Sequence, residues 1–315
     1  MKGLIALAAV LTALAISSAR AEDTDGAAAS PPPVDDEAIP AVLTGTLKKV
    51  EDSGVVTLGY RDASFPFSYV RKDQLAPLGY SIDLCRGLVE EIVRELHGAP
   101  IRTEYRLVTS DTRMEAVTSG KIDLECGSTS SNTERQKSVA FSPVMFVAGT
   151  KLMVKRRSGI ASYKDLGGKT LVVTSGTTNE KAMTLLDEKY HLGIKIVSMP
   201  DHEASYALLE QGGADAFATD DVLLSGFIAA KHSQDTMAVV GDFITYEAYG
   251  IMFRKDDPEL AAAVRQAFSH MAADRSLVAT YRKWFLQPTP TGEMLDLPIS
   301  LQLSEAFRVL GLDDF

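Results

Sequence analysis

The chain is poor in cysteine, in positive charge and in long apolar runs, and each shortage removes a class of function. Only Cys85 and Cys126 occur in 315 residues, alongside five scattered His. That inventory argues against a structural zinc site, which needs four clustered thiolate or imidazole ligands. It leaves room for one bridge in an oxidising compartment, or for two free thiols. Lys and Arg total 32 against 42 Asp and Glu, a formal charge of −10. Such a chain lacks the basic footprint by which nucleic acid is held. Affinity for any anion must then come from a local cluster of cations. One long apolar run, residues 3–16, follows Lys2 and precedes Ser17, Ser18 and Ala19-Arg20-Ala21. It is too short for a comfortable membrane span and has the layout of an export signal over residues 1–21, cleaved after Ala21. No later stretch approaches spanning length, so no membrane insertion is expected after cleavage. With Lys2 and Arg20 removed, 30 basic residues face 42 acidic ones and the formal charge becomes −12.

What is present reads as a soluble α/β protein. Charged residues make up 23% and aromatics 7%, the composition of a globular chain. Residues 22–43 are rich in Ala, Pro and acids, with Pro31-Pro32-Pro33 in the middle, and predict a disordered tether. Beyond it a short helix (45–52) leads into a β-branched strand ending on Arg61. A helix with apolar residues Leu84, Leu88, Ile92, Val93 and Leu96 at helical spacing follows, then a strand over 101–108 and a short helix over 112–119. Residues 144–156 read as one long β run. A second series then restarts: strand 168–174, helix 179–190, strand 195–199, a helix closing at Gly212-Gly213, strand 214–218 ending at Asp220, and helix 222–230. Residues 249–254 read as a strand and 260–284 as a helix broken near Asp274. Trp284 reads as a core anchor, and Leu301, Leu303, Phe307 and Leu310 predict a tail helix docked on a lobe. Alternation of strand and helix argues for parallel pairing, with ligands at the carboxyl ends of the strands. Arg61, Ser110 with Arg113, and Ser128 to Ser130 all follow such ends.

The stretch around which the chain is organised is residues 123–143, DLECGSTSSNTERQKSVAFSP. A short apolar strand runs into Gly127 and a hydroxyl cluster, then into what reads as a helix with Glu134, Arg135 and Gln136 in its first turn. Free N–H groups at a helix start, beside a guanidinium able to grip a carboxylate with two bonds, make an anion site. The plainer reading is an N-capped helix with a solvated arginine. An internal echo supports two lobes of like design: "TSGKIDLECGS" (118–128) and "EQGGADAFATD" (210–220) both run helix end, G-x-x-D, apolar strand, polar loop.

The motifs "GYRDASFPFSY", "GYSIDLC", "DLECGSTSSNTERQKSVAFS", "TLVVTSGTTNE", "MPDHEASYALLEQGGADAFATDD", "EAYGIMFRKDDP" and "YRKWF" occur in order over nearly all of the chain after the tether. Together they resemble the periplasmic solute-binding proteins of the amino-acid type, most nearly the glutamate/aspartate-binding components of ABC importers. The resemblance implies a two-lobed, type II periplasmic-binding-protein fold, each lobe a mainly parallel sheet flanked by helices. It puts residues 44–148 and 247–315 in lobe 1 and 149–246 in lobe 2, joined by two crossing segments and closing by a hinge. It further implies a periplasmic monomer that delivers L-glutamate or L-aspartate to a membrane permease, with no cofactor, no metal and no catalytic residue.

Site residues follow from the same resemblance. Arg135 corresponds to the arginine that grips the ligand α-carboxylate, aided by Ser128, Ser130 and the amides near Thr177. Asp220 corresponds to the acid that takes the α-ammonium, with Asp221 able to exchange roles. Arg61, where relatives that bind basic or neutral amino acids usually carry Asp, joins Arg113, Ser110, Thr174, Thr177 and His202 in matching the acidic branch. One aromatic near Phe67 is implied to lie against the ligand stem. Three arginines and Asp220 give the site +2, and a ligand of −1 leaves about +1, or more were His202 protonated. From the residues alone, Arg61 pairing with Asp62 or Asp83, Asp220 as a helix cap and His202 as a structural residue stay open. Two other functions stay open as well: a dehydratase-like enzyme on this fold using His202 and Asp220, and a soluble relay to a receptor.

Overall fold

The computed structural model describes residues 43–71, 73–74 and 76–312. The expected export signal, and the tether up to residue 42, lie outside the described residues. Within them the chain runs α1 (Gly45–Ser53), β1 (Val55–Tyr60), the hairpin β2 (Ala63–Ser64) and β3 (Ser68–Tyr69), α2 (Tyr80–Glu95), β4 (Arg102–Leu107), α3 (Arg113–Thr118), β5 (Leu124–Glu125), β6 (Val139–Phe141) and β7 (Phe146–Ala148). A second series follows: β8 (Thr150–Lys155), β9 (Thr170–Thr174), α4 (Thr178–Tyr190), β10 (Lys195–Met199), α5 (His202–Glu210), β11 (Ala216–Asp220), α6 (Asp221–Ala230) and β12 (Met237–Val240). The chain returns through β13 (Glu247–Tyr249), β14 (Met252–Arg254), α7 (Pro258–Ala273), α8 (Ser276–Phe285) and α9 (Leu301–Arg308).

Two five-stranded sheets result, ordered β4-β1-β5-β14-β6 and β10-β9-β11-β8-β12. In each the three strands at one end are parallel, and the fourth runs against its neighbours on both sides. The two sheets are therefore the same design built twice, which is the architecture that the sequence echo predicts. The echo has a physical cause. Asp123 accepts the N–H of Thr57 at 2.8 Å, and Asp215 accepts the N–H of Thr170 at 2.8 Å. Each G-x-x-D aspartate thus pins the strand it joins to the middle one of the three parallel strands in its own sheet.

The long β runs expected over 144–156 and 249–254 are each broken in two. Residues of β7 and β13 pair antiparallel, Phe146 opposite Tyr249 and Ala148 opposite Glu247, and form the two crossings between the sheets. Gly149 lets the chain turn out of the crossing: a Cβ there would stand 2.5 Å from the Thr245 carbonyl oxygen and 2.4 Å from the Phe243 ring. The crossings are anchored on the first sheet's side. Phe67 lies edge-on to Phe146 at 5.0 Å and to Tyr249 at 5.1 Å, and Phe285 packs 4.8 Å from Phe146. Such ring pairs each add about 0.5–1.5 kcal/mol beyond their buried area. Phe67 is fully buried in this cluster and is a packing residue.

Trp284 is the core anchor that the sequence predicts, with Nε1 donating to Asp83 at 2.7 Å. It sits on α8; the expected tail helix, α9, follows and packs on β7 through buried Leu303 and Phe307, whereas Leu301 is exposed. Cys85 on α2 and Cys126 after β5 form a disulfide, which closes the alternative of two free thiols.

Candidate functional site

The carboxyl ends of β4, β1 and β5 are adjacent in the first sheet, and the chain leaving each carries site residues. Arg61 follows β1 and is only 2% exposed. The β2–β3 hairpin clamps its backbone: its N–H donates to Ser68 Oγ at 2.9 Å, and that hydroxyl donates to its carbonyl at 3.0 Å. Ser110 lies in the turn after β4, and Arg113 opens α3; both are buried. Gly127 to Ser130 follows β5, with the Gly127 carbonyl held by Ser81 Oγ at 2.8 Å. Neither Asp62 nor Asp83 makes a hydrogen bond to Arg61. Asp83 is taken by Arg86, Lys283 and Trp284.

The expected helix around Glu134 to Gln136 does not form. A three-residue 3-10 turn, Arg135–Lys137, stands there; the Asn132 side chain accepts the Arg135 N–H at 2.9 Å as an N-cap does, but the chain enters β6 at Val139 before a full helix is built. So short a turn has no appreciable dipole, and the anion-site argument on that ground falls. Arg135 acts through its guanidinium, which donates to the Ser130 carbonyl at 2.8 Å and to the Gly176 carbonyl of the other sheet's side at 3.3 Å. The two sides also meet through Ser175 Oγ on Asp111 at 3.1 Å, Ser130 with Thr178 at 3.4 Å, and Lys181 with Glu134 at 2.7 Å.

The three guanidiniums share one electrostatic environment. Burial, then the charge of Arg113, pushes Arg61 down to about 10 and Arg135 down to about 10. Burial also lowers Arg113, which Glu125, Tyr249 and Asp220 partly offset. All three remain cations at neutral pH. Arg61 Nη1, Arg113 Nε, Ser110 Oγ and Ser128 Oγ are buried with no hydrogen-bond partner among the described residues. Buried polar groups left unpaired are rare, and four of them gather here on the chain leaving β1, β4 and β5.

The second side brings Thr174, Thr177, His202 and Asp220. Thr177 caps α4, accepting the Glu180 N–H at 3.1 Å and donating to the Thr174 carbonyl at 2.7 Å, so its hydroxyl is already engaged. Thr174 Oγ1 lies 2.8 Å from His202 Nδ1 and 2.8 Å from Ser205 Oγ, all buried. Burial, with Arg61 and Arg113 nearby, drives His202 well below its ordinary value, so it is neutral and adds nothing to the site's charge. Asp220 ends β11 and makes no side-chain cap on α6. It accepts from the Asn179 amide at 2.7 Å and from the Tyr249 hydroxyl. Burial, then Glu247, pushes it up to about 7. Asp221 instead accepts the Gly149 N–H beside the crossing, at 3.1 Å.

Glu125, Glu247, Tyr249 and Asn179 are buried members of the site that sequence reasoning missed. Their presence corrects the charge count. Glu125 alone brings the +2 of three arginines and Asp220 to +1, and Glu247 adds a further acid beside Asp220. Among the described residues, no group of His, Cys, Asp and Glu is arranged to hold a metal ion.

Residues 56–287 match the family described as bacterial extracellular solute-binding proteins, family 3. The L-glutamate/L-aspartate-binding protein of Pseudomonas aeruginosa is 42% identical over 84% of this chain and 87% of its own length. The glutamate/aspartate import solute-binding protein of Escherichia coli is 36% identical over 87% of this chain and 89% of its own. Among solved structures, an ancestral arginine-binding protein bound to glutamine matches with a TM-score of 0.66 and 27% identity, over 74% of this chain and 99% of that one. With its twin sheets, paired crossings and interposed cluster of buried cations, the chain belongs to the bacterial extracellular solute-binding proteins of family 3.

Proposed function

We propose that the chain captures L-glutamate or L-aspartate between its two sheets and delivers it, unchanged, to the membrane permease of an ABC importer. The observation that carries this reading is the set of buried donors left over on Arg61, Arg113, Ser110 and Ser128. A ligand with two carboxylates gives these donors partners, and each charge-assisted hydrogen bond contributes roughly 1.5–3 kcal/mol. Across the cleft, Asp220 with Tyr249 and Glu247 provides for one ammonium. An amino acid with an acidic side chain is the smallest ligand that answers both sides. The names carried by the Pseudomonas aeruginosa and Escherichia coli relatives point the same way.

The reading is tested by a thermal-shift screen of the common amino acids. A ligand bound only by the folded chain raises its melting temperature. L-glutamate and L-aspartate are expected to give the largest shifts, and a larger shift from a basic or neutral amino acid would refute the assignment.

Asp220 gives a second test through pH. Its carboxyl is held up to about 7, mainly by burial and then by Glu247, with Asp221 adding to the rise and Tyr249 and Asn179 opposing it. An ammonium needs the ionised form. Affinity for L-glutamate is therefore expected to be flat above about pH 7.5, and to fall by up to about tenfold per pH unit below 7. Asp220→Asn should weaken binding and remove the slope. A profile equally steep in that variant would assign the titration elsewhere.

A further inference from the structure

Glu125 is a carboxylate where a carboxylate is least expected, directly behind three arginines that the proposed function turns toward the ligand. It ends β5, is fully buried, and lies on the arginine side of the cleft. The Thr129 hydroxyl donates to its Oε2 at 2.6 Å and accepts from Arg113 Nη1 at 2.9 Å, so one threonine links acid to guanidinium. Its charge favours the cationic form of Arg61, Arg113 and Arg135 alike. The surrounding turn is shaped to it: a Cβ on Gly127 would stand 2.3 Å from Glu125 Oε1 and 2.9 Å from Arg61 Cγ. Oε1 itself has no hydrogen-bond partner among the described residues. A buried acid with one free oxygen is costly to keep for packing alone.

We propose that Glu125 is a specificity-determining residue, a counter-charge behind the arginines that makes the cleft prefer a zwitterionic dicarboxylate to a dicarboxylate lacking the ammonium. The inference rests on the acidic-amino-acid reading and concerns the ligand's net charge. Three guanidiniums without an acid behind them attract a dianion most strongly. Asp220 and Glu247 oppose such a ligand only at the ammonium end. Glu125 opposes it at the carboxylate end, where both kinds of ligand make the same hydrogen bonds. Its repulsion of the two carboxylates is then the same for both ligands, and the difference between them is its Coulomb attraction for the ammonium, which only the zwitterion carries.

The test compares L-glutamate with 2-oxoglutarate, which has the same carbon skeleton and a ketone in place of the ammonium. Both are titrated calorimetrically into the mature chain at pH 8. Wild type is expected to favour L-glutamate. In Glu125→Gln, and in Glu125→Met, which removes the charge without asking for a hydrogen bond, the ratio of the two dissociation constants should move toward 2-oxoglutarate by at least about tenfold. Thr129→Val breaks the link to Arg113 but keeps the charge, and should weaken both ligands with their ratio held within about threefold. An unmoved ratio in the two neutral variants overturns the proposal, because a merely structural role weakens both ligands together. A shift in Thr129→Val as large as in Glu125→Gln overturns it too, since geometry rather than charge would then be responsible. Failure of wild type to bind L-glutamate sinks the proposed function instead, a distinct result.

Discussion

Replacing Arg113 by methionine is expected to weaken L-glutamate binding between about a hundredfold and several thousandfold, with no loss of stability in the ligand-free chain. The two signs come from one cause. Arg113 is buried, its Nε lacks a partner among the described residues, and its charge lowers the pKa of both Arg61 and Arg135. Removing one member of a buried charged pair costs about 3–5 kcal/mol, and a bound carboxylate facing the substituted thioether would be left in that condition. Without ligand the same substitution relieves repulsion among three cations and removes a desolvated charge, which offsets the lost Arg113–Thr129 hydrogen bond and the lost counter-charge of Glu125. The melting temperature should then stay within about 2 °C of wild type or rise. Calorimetry and thermal unfolding on the same sample check both halves. Affinity within tenfold of wild type would remove Arg113 from the ligand's surroundings.

Loss of the disulfide should have the largest effect on stability. Cys85 and Cys126 are 41 residues apart, and both are fully buried in the first core. Closing a loop of that length restricts the unfolded chain by up to about 4 kcal/mol, with about 2–4 realised in typical proteins. Cys85→Ser combined with Cys126→Ser is expected to lower the melting temperature by about 5–10 °C. Cys126 immediately precedes Gly127 to Ser130, so the bridge also ties the hydroxyl loop of the site to α2. A melting temperature unchanged by the double substitution would mean that packing alone fixes that loop.

Much of this fold was legible because its determinants are local and periodic. Helical spacing marked α2, β-branched runs marked β1 and β9, and the repeated G-x-x-D marked the duplication, whose cause is the aspartate-to-strand hydrogen bond in each sheet. That Arg61, Arg113 and Asp220 stand at or after the carboxyl ends of strands was legible from the α/β pattern, whereas the roles expected of them came from the resemblance. The failures have identifiable physics. The hydroxyl run after Gly127 reads as a helix start, and Asn132 does cap one, but the chain is drawn into β6 at Val139 and only a 3-10 turn forms. The β runs through Gly149 and Gly250 read as continuous strands, but each contains a crossing, which is a property of two lobes rather than of any local segment. Glu125 escaped because a glutamate between Leu124 and Cys126 reads as the exposed face of a strand. The signal available was its setting, since a strand buried on both faces leaves no exposed side for a charge. Glu247 and Tyr249 belong to the second crossing and reach the site only through the pairing of β13 with β7, a partner far away along the chain.

Buried guanidiniums are matched, in the proposed function, to a second carboxylate, and L-glutamine tests that match by replacing that carboxylate with a neutral amide of the same shape. Calorimetric titration of the unsubstituted chain with each ligand at pH 8 is the direct measurement. Leaving Arg61 and Arg113 opposite an amide should cost roughly 3 kcal/mol, so L-glutamate is expected to bind at least about a hundredfold more tightly. L-glutamine binding within tenfold of L-glutamate would contradict it.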